Sequence, residues 1–163
     1  MDVDGVMTDG RLFHFLDTRG RFVELKGVTS QDGIALTWLA ANGIRTGVIS
    51  GRASEGFRAR ARMLGMAYVV QGTTVKAPAF EAILRRARVA AEEAAYIGDD
   101  LTDIPPMRRA GLAVAVANAR PEVKAVAHYV TRAEGGRGAV REVAERLLKA
   151  QGLWAKIKRG YEA

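Results

Sequence analysis

The chain opens Met1-Asp2-Val3-Asp4-Gly5-Val6-Met7-Thr8-Asp9-Gly10, two carboxylates two residues apart with a third close behind. Like charges resist sharing a site, and chain ends are where order is usually lost. Acids crowded here need something from the rest of the chain to balance them. The following sequence shows a repeating rhythm of short apolar run, polar cluster and helical periodicity. Arg11 to Lys26 reads as a β-hairpin around the turn signal Asp17-Thr18-Arg19-Gly20. Residues 30–43 read as a helix with Ile34, Trp38 and Ala41 at helical spacing, stopping at Gly43. IRTGVIS (44–50) is a strand, and a helix capped by Ser54 puts Phe57, Ala61 and Leu64 on one face.

The pattern continues to the C-terminus. AYVVQG (67–72) reads as a strand, and a helix past Pro78 turns Phe80, Ile83, Leu84 and Ala87 inward. AAYIGDD (94–100) is a strand ending in acids, followed by a short helix broken near Pro105-Pro106. LAVAVAN (112–118) and HYVT (128–131) are strands flanking a helix with Pro121 in its first turn. GAVREVAERLLKAQG (138–152) closes as an amphipathic helix. Such alternation predicts an α/β domain over 1–163, with a mainly parallel sheet covered on both faces. Asp2 and Asp4, Ser50, Gln71-Gly72 and Asp99-Asp100 all fall at the C-terminal ends of apolar strands. In open α/β sheets ligands bind at those ends, so these residues are expected to meet in one crevice.

Composition narrows the function classes. The 163 residues are enough for one domain with a sizeable core, and 48% hydrophobic with 26% charged residues is ordinary for a globular protein. No apolar run approaches ~18 residues, which excludes a helical membrane span, and no basic-then-apolar signal opens the chain. Without cysteine there is neither a disulfide nor a thiolate metal site, in keeping with a cytosolic setting. A net charge of +7 suits an anionic substrate drawn to a positive cleft. The basic residues are dispersed and not interleaved with aromatics, which argues against nucleic acid as partner.

DVDGVMTDG, VISGR, Lys76 and YIGDDLTD stand in the order and spacing of the haloacid dehalogenase-type phosphatases. The chain resembles most closely their capless branch, the 3-deoxy-D-manno-octulosonate 8-phosphate phosphatases. It shares with them the hairpin after the first motif, Asp32-Gly33 opening the first helix, AYIGDDLTDIPPM (95–107) and GGRGAVREV (135–143), from residue 1 to about Trp154. The resemblance implies a Rossmann-like fold without a cap domain, and Mg²⁺-dependent hydrolysis of a small anionic sugar phosphate in the cytoplasm. It also implies a homotetramer in which hairpins meet and neighbours cover the active sites, since a lidless phosphatase must still exclude water.

The same resemblance assigns roles. Asp2 becomes the nucleophile forming an aspartyl-phosphate, and Asp4 the general acid-base. Mg²⁺, which favours carboxylates together with phosphate, takes the Asp2 carboxylate, the Asp4 backbone carbonyl and Asp99. Asp100 and Asp103 are its outer partners, although Asp100 reads equally as a cap for the next helix. Ser50 and the Gly51 N–H bind phosphate oxygens. Lys76 balances charge in the transition state, and Arg52, Asp32 and Arg137 face the substrate, Arg52 by a bidentate grip. His14 and His128 read as ordinary strand residues.

Two departures stand out. Only Met1 precedes Asp2, where the family carries an apolar strand, so the expectation is that further residues precede Met1 in the native protein. Gln31 stands where the family often has an arginine before Asp-Gly, which loses a charge-assisted bond to an acid sugar. A related nine-carbon acid sugar phosphate, or broad phosphomonoester hydrolysis, is the alternative substrate reading. A catalytically weak binding module serving a nucleotide-sugar synthetase is the alternative of a different class. The tail after Gly152, with Trp154, Lys156 and Lys158, is expected either to help close a neighbour's site or to stay loose in solvent.

Overall fold

The computed structural model describes residues 1–162. Its strands are β1 (Phe13–Leu16), β2 (Phe22–Leu25), β3 (Gly47–Ser50), β4 (Tyr68–Gln71), β5 (Ala95–Gly98), β6 (Leu112–Ala115) and β7 (Tyr129–Val130). Its helices are α1 (Ser30–Ala41), α2 (Glu55–Met63), α3 (Lys76–Ala87), α4 (Ile104–Met107), α5 (Pro121–Lys124), α6 (Ala139–Ala150) and α7 (Trp154–Arg159). The strands β3 and β4 pair in parallel, Val48 opposite Val69, and β5, β6 and β7 pair in parallel, Ile97 opposite Val114. The expected α/β class with parallel pairing is what the chain adopts, and no large cap is present among the described residues.

Met1 and Asp2 stitch the two halves of the sheet together. The Met1 ammonium donates to the Gly47 carbonyl (3.1 Å) and the Met1 carbonyl accepts from Ile49 N–H (3.0 Å). On the other side Asp2 N–H donates to Ile97 O at 3.0 Å. Beyond them the chain closes a helical turn, Met7 and Thr8 N–H both bonding back to Val3 O. Val3, Val6 and Met7 anchor that turn in the core. Each such side chain contributes about 1.5–3 kcal/mol by leaving water. Asp2 is thus held by backbone bonds on both sides and apolar anchors behind.

Several local expectations are corrected. In α1 the buried face is Gly33, Ala35, Leu36 and Leu39, whereas Ile34 and Ala41 are exposed. The helix packs along α6, and small residues allow the approach. Helix α3 begins at Lys76, two residues before Pro78, because proline is tolerated in a first turn. For the same reason Pro105 and Pro106 start α4 instead of breaking it. Ser54 caps α2 as expected, accepting from Phe57 N–H, and Phe57, Ala61 and Leu64 are buried. At the N-terminal ends of β3 to β6 lies an apolar cavity of about 480 Å³, lined among others by Ile44, Phe80, Leu84, Leu112 and Val143. None of Asp2, Asp4, Ser50 or Asp99 reaches it.

Candidate active site

Ser50 ends β3 and Asp99 follows β5, as the alternation predicted, whereas Asp2 belongs to no strand and is held beside β5 by its bond to Ile97 O; α3 adds Lys76 from its first residue. Lys76 is buried, its Nζ 2.9 Å from Asp2 Oδ1 and 2.7 Å from Asp103 Oδ1. Asp103 is wholly buried and fully engaged. Its Oδ1 also accepts from Tyr96 OH (2.9 Å), and its Oδ2 from the N–H groups of Asp99 (3.1 Å) and Asp100 (3.3 Å). Asp103 therefore locks Lys76 toward Asp2 and shapes the loop after β5. Asp100 is exposed, with its carboxylate accepting from Leu101 N–H at 2.7 Å, the geometry of a cap.

Burial dominates the electrostatics. It raises the pKa of Asp2, the charge of Asp103 adds to that rise, and Lys76 pulls against it. Asp99 is pushed up to about 8, first by burial and then by the charges of Asp103 and Asp2. Burial alone would lower Lys76, but Asp103 and Asp2 outweigh it and the net shift is upward. One ammonium thus faces three carboxylates.

That imbalance is what a divalent cation relieves. Oxygens of Asp2, Asp99 and Asp103 lie within 4.8 Å of one another. Asp103 has no free lone-pair geometry left, whereas Asp99 Oδ1 is buried with no hydrogen-bond partner. An unpartnered buried carboxylate oxygen beside Asp2 fits a hard oxygen-seeking ion such as Mg²⁺. Gly5 completes the fit: its φ is +94°, and a Cβ there would lie 2.1 Å from Asp99 Oδ2.

The Asp4 carboxylate takes its partner from the hairpin. Lys26, at the foot of the hairpin, lies 2.8 Å from each of its carboxylate oxygens. Glu24 on β2 lies 3.4 Å from Lys26 Nζ and 2.5 Å from Arg52. Ser50 is buried and its Oγ accepts from Arg52 N–H at 3.3 Å, tying the residues after β3 into a tight turn with Gly51. Asp9 only holds its own turn, accepting from Arg11 N–H.

The remaining expected residues are placed differently. Asp32 is buried and accepts from Arg141 N–H (2.7 Å) and Gly138 N–H (3.3 Å), so its carboxylate serves the start of α6. Arg137 is exposed and lies 3.7 Å from Glu134. Its glycine neighbours do the close packing: a Cβ on Gly135 would lie 1.6 Å from Gly5 O. Tyr96, Glu24 and Lys26 were not singled out by sequence. Lys26 is one charge at the end of an apolar ribbon, and only the hairpin's return to the core reveals its partner.

Residues 49–142 match the family model described as haloacid dehalogenase-like hydrolase. A 3-deoxy-D-manno-octulosonate 8-phosphate phosphatase of Yersinia pestis is 43% identical over 150 residues, 92% of this chain and 78% of that one. The phosphatase of the same name from Escherichia coli K12 is 42% identical over 158 residues, 97% of this chain and 82% of its relative. Among solved structures, that of Moraxella catarrhalis, in complex with magnesium ion, phosphate ion and KDO, superposes with a TM-score of 0.92 at 37% identity. It covers 99% of this chain and 90% of that one.

Proposed function

The chain belongs to the haloacid dehalogenase-like hydrolase family, in which it is a phosphatase, and we propose that it releases phosphate from 3-deoxy-D-manno-octulosonate 8-phosphate. The observation that carries this reading is the buried Asp2–Lys76 pair beside the unpartnered Asp99 oxygen. An Asp2 carboxylate oxygen attacks phosphorus, the ester P–O bond breaks, and the departing alkoxide takes a proton from Asp4. Water then adds to the phosphorus of the aspartyl-phosphate, Asp4 accepts its proton, and inorganic phosphate leaves with the Asp2 carboxylate restored. Lys76, fixed by Asp103, offsets charge on the phosphoryl oxygens, and Ser50 with Gly51 N–H holds them. Mg²⁺, held by Asp2, Asp99 and the Asp4 carbonyl, would neutralise the crowded charge and keep the phosphoryl group in line.

Arg52 and Arg137 favour an acidic sugar, which fits lipopolysaccharide precursor synthesis in the cytoplasm. Gln31 supports a second reading, a related nine-carbon acid sugar phosphate. Gln31 is exposed, and its Oε1 lies 3.7 Å from the Cβ position of Gly138 in the glycine loop that carries Arg137. The wild-type protein is expected to release phosphate from the octulosonate ester only with Mg²⁺ present. Asp2→Asn should lower that rate by at least about a thousandfold. Undiminished turnover in the Asn variant would overturn the assigned nucleophile. A faster rate on nine-carbon esters, reversed by Gln31→Arg, would select the second substrate.

A further inference from the structure

One carboxylate sits at the centre of a cluster that none of these steps uses. Glu24 Oε2 lies 2.5 Å from an Arg52 guanidinium nitrogen and 3.2 Å from His14 Nε2, and Glu24 Oε1 lies 3.4 Å from Lys26 Nζ. Lys26 continues to Asp4, and its side chain is only 5% exposed. Three parts of the chain meet here: the hairpin, the turn after β3, and the loop holding Asp4. The hairpin sits on none of the sheet's strands, yet among the described residues it supplies the only polar contacts of the Asp4 carboxylate.

We propose that Glu24 is a positioning residue of the active site: it holds Arg52 and Lys26 at the leaving-group side, so that the hairpin selects for an anionic organic group. This rests on the reading of Asp4 and Arg52 given above. Asp4 marks where the leaving oxygen departs, and Arg52 follows the phosphate-binding turn, so both bound cations flank the organic half of the ester. A half-exposed arginine samples many rotamers, and a fixed carboxylate removes that freedom before substrate arrives. Burial by itself would raise the pKa of Glu24, but bonds from Arg52 and His14 and the Lys26 charge bring it down to about 2. The tether therefore stays charged at working pH.

The test compares kcat/KM for the octulosonate phosphate and for p-nitrophenyl phosphate, whose leaving group carries no carboxylate, across wild type, Glu24→Gln, Arg52→Met and the double variant. Glu24→Gln should lose about tenfold on the sugar ester, chiefly through KM, and stay within about twofold on the aryl ester. Because Glu24 acts in large part through Arg52, the double variant should lose clearly less on the sugar ester than the product of the two single losses. Equal losses on both esters, additive losses in the double variant, or a gain on the sugar ester would overturn the assignment. Glu24→Asp keeps the charge in a shorter side chain and should lose about threefold with the same bias; no bias there overturns it too. Wild type showing no preference for the acid sugar ester would sink the substrate reading as well as the role of Glu24. A preference that survives Glu24→Gln would sink the role of Glu24 alone.

Discussion

Single residues set the spacing of the acids. Gly5 holds a left-handed φ and lets Asp99 approach, while Gly135 backs onto the Gly5 carbonyl, so two glycines fix one side of the site. Gly5→Ala is expected to cost about 2–3 kcal/mol from backbone strain and the clash with Asp99. That lowers Tm by about 4–12 °C at this chain length, and differential scanning calorimetry with and without Mg²⁺ is the check. The Mg²⁺-dependent rise in Tm should shrink in the variant, because displacing Asp99 disturbs the oxygens that would hold the ion. Asp103 shows the opposite economy: one buried side chain satisfies Lys76, Tyr96 and two backbone N–H groups. A group so fully engaged orients others and does not react.

Among the elements, the hairpin and the tail behave differently from the sheet. Phe13, Phe15, Leu16, Phe22 and Leu25 are all exposed, between 48% and 67%, on a ribbon of two four-residue strands. These side chains do not fold back onto their own domain. A two-stranded ribbon with such a surface is marginal in water, and it supports the proposed tetramer, in which neighbours would cover it. Replacing Phe13, Phe15 and Phe22 with Thr should convert a larger species to monomer in sedimentation velocity and lower kcat/KM on the sugar ester. An unchanged sedimentation coefficient would show that the ribbon does not hold the assembly. The tail forms α7 and folds back within the chain. Trp154 meets Trp38 edge-on at 5.5 Å, the Arg141 guanidinium lies 4.1 Å from the Trp38 ring centre, and Trp38 Nε1–H donates to Tyr161 OH. This partly covers the Trp38 side of α1.

For the whole molecule, the sheet's geometry concentrates negative charge at one end of a chain whose net charge is +7. The penalty shows as pH dependence. Asp99 has a folded pKa of about 8 against an ordinary value of 3.8, so the native state binds its proton more tightly than the unfolded chain. Stability from this group is therefore full below the ordinary value and is lost as pH rises toward about 8. The raised pKa of Asp2 acts in the same direction. Metal-free protein is expected to lose Tm steadily between about pH 4 and pH 8 relative to the same protein with Mg²⁺. Thermal melts in chelator and in Mg²⁺ across that window decide it; parallel curves would mean that the ion does not contact these acids. No described helix is long and apolar enough to cross a membrane.

Much of this was legible in the linear chain, for a physical reason. Strand-helix alternation, the Ser54 cap and the acids following apolar runs are local signals, and in a parallel α/β sheet local order dictates which loops share an edge. Asp2, Ser50 and Asp99 could therefore be gathered from the linear chain, whereas Lys76, a single charge opening a helix, came only with the family resemblance. What only the tertiary structure decided were pairings between residues far apart in sequence: Lys26 with Asp4, Glu24 with Arg52, Asp32 with the start of α6, Tyr96 with Asp103. A charged side chain carries no periodicity, so its partner is set by which elements fold against each other. The inward face of α1 was decided the same way, by the fit of α6 against its small residues.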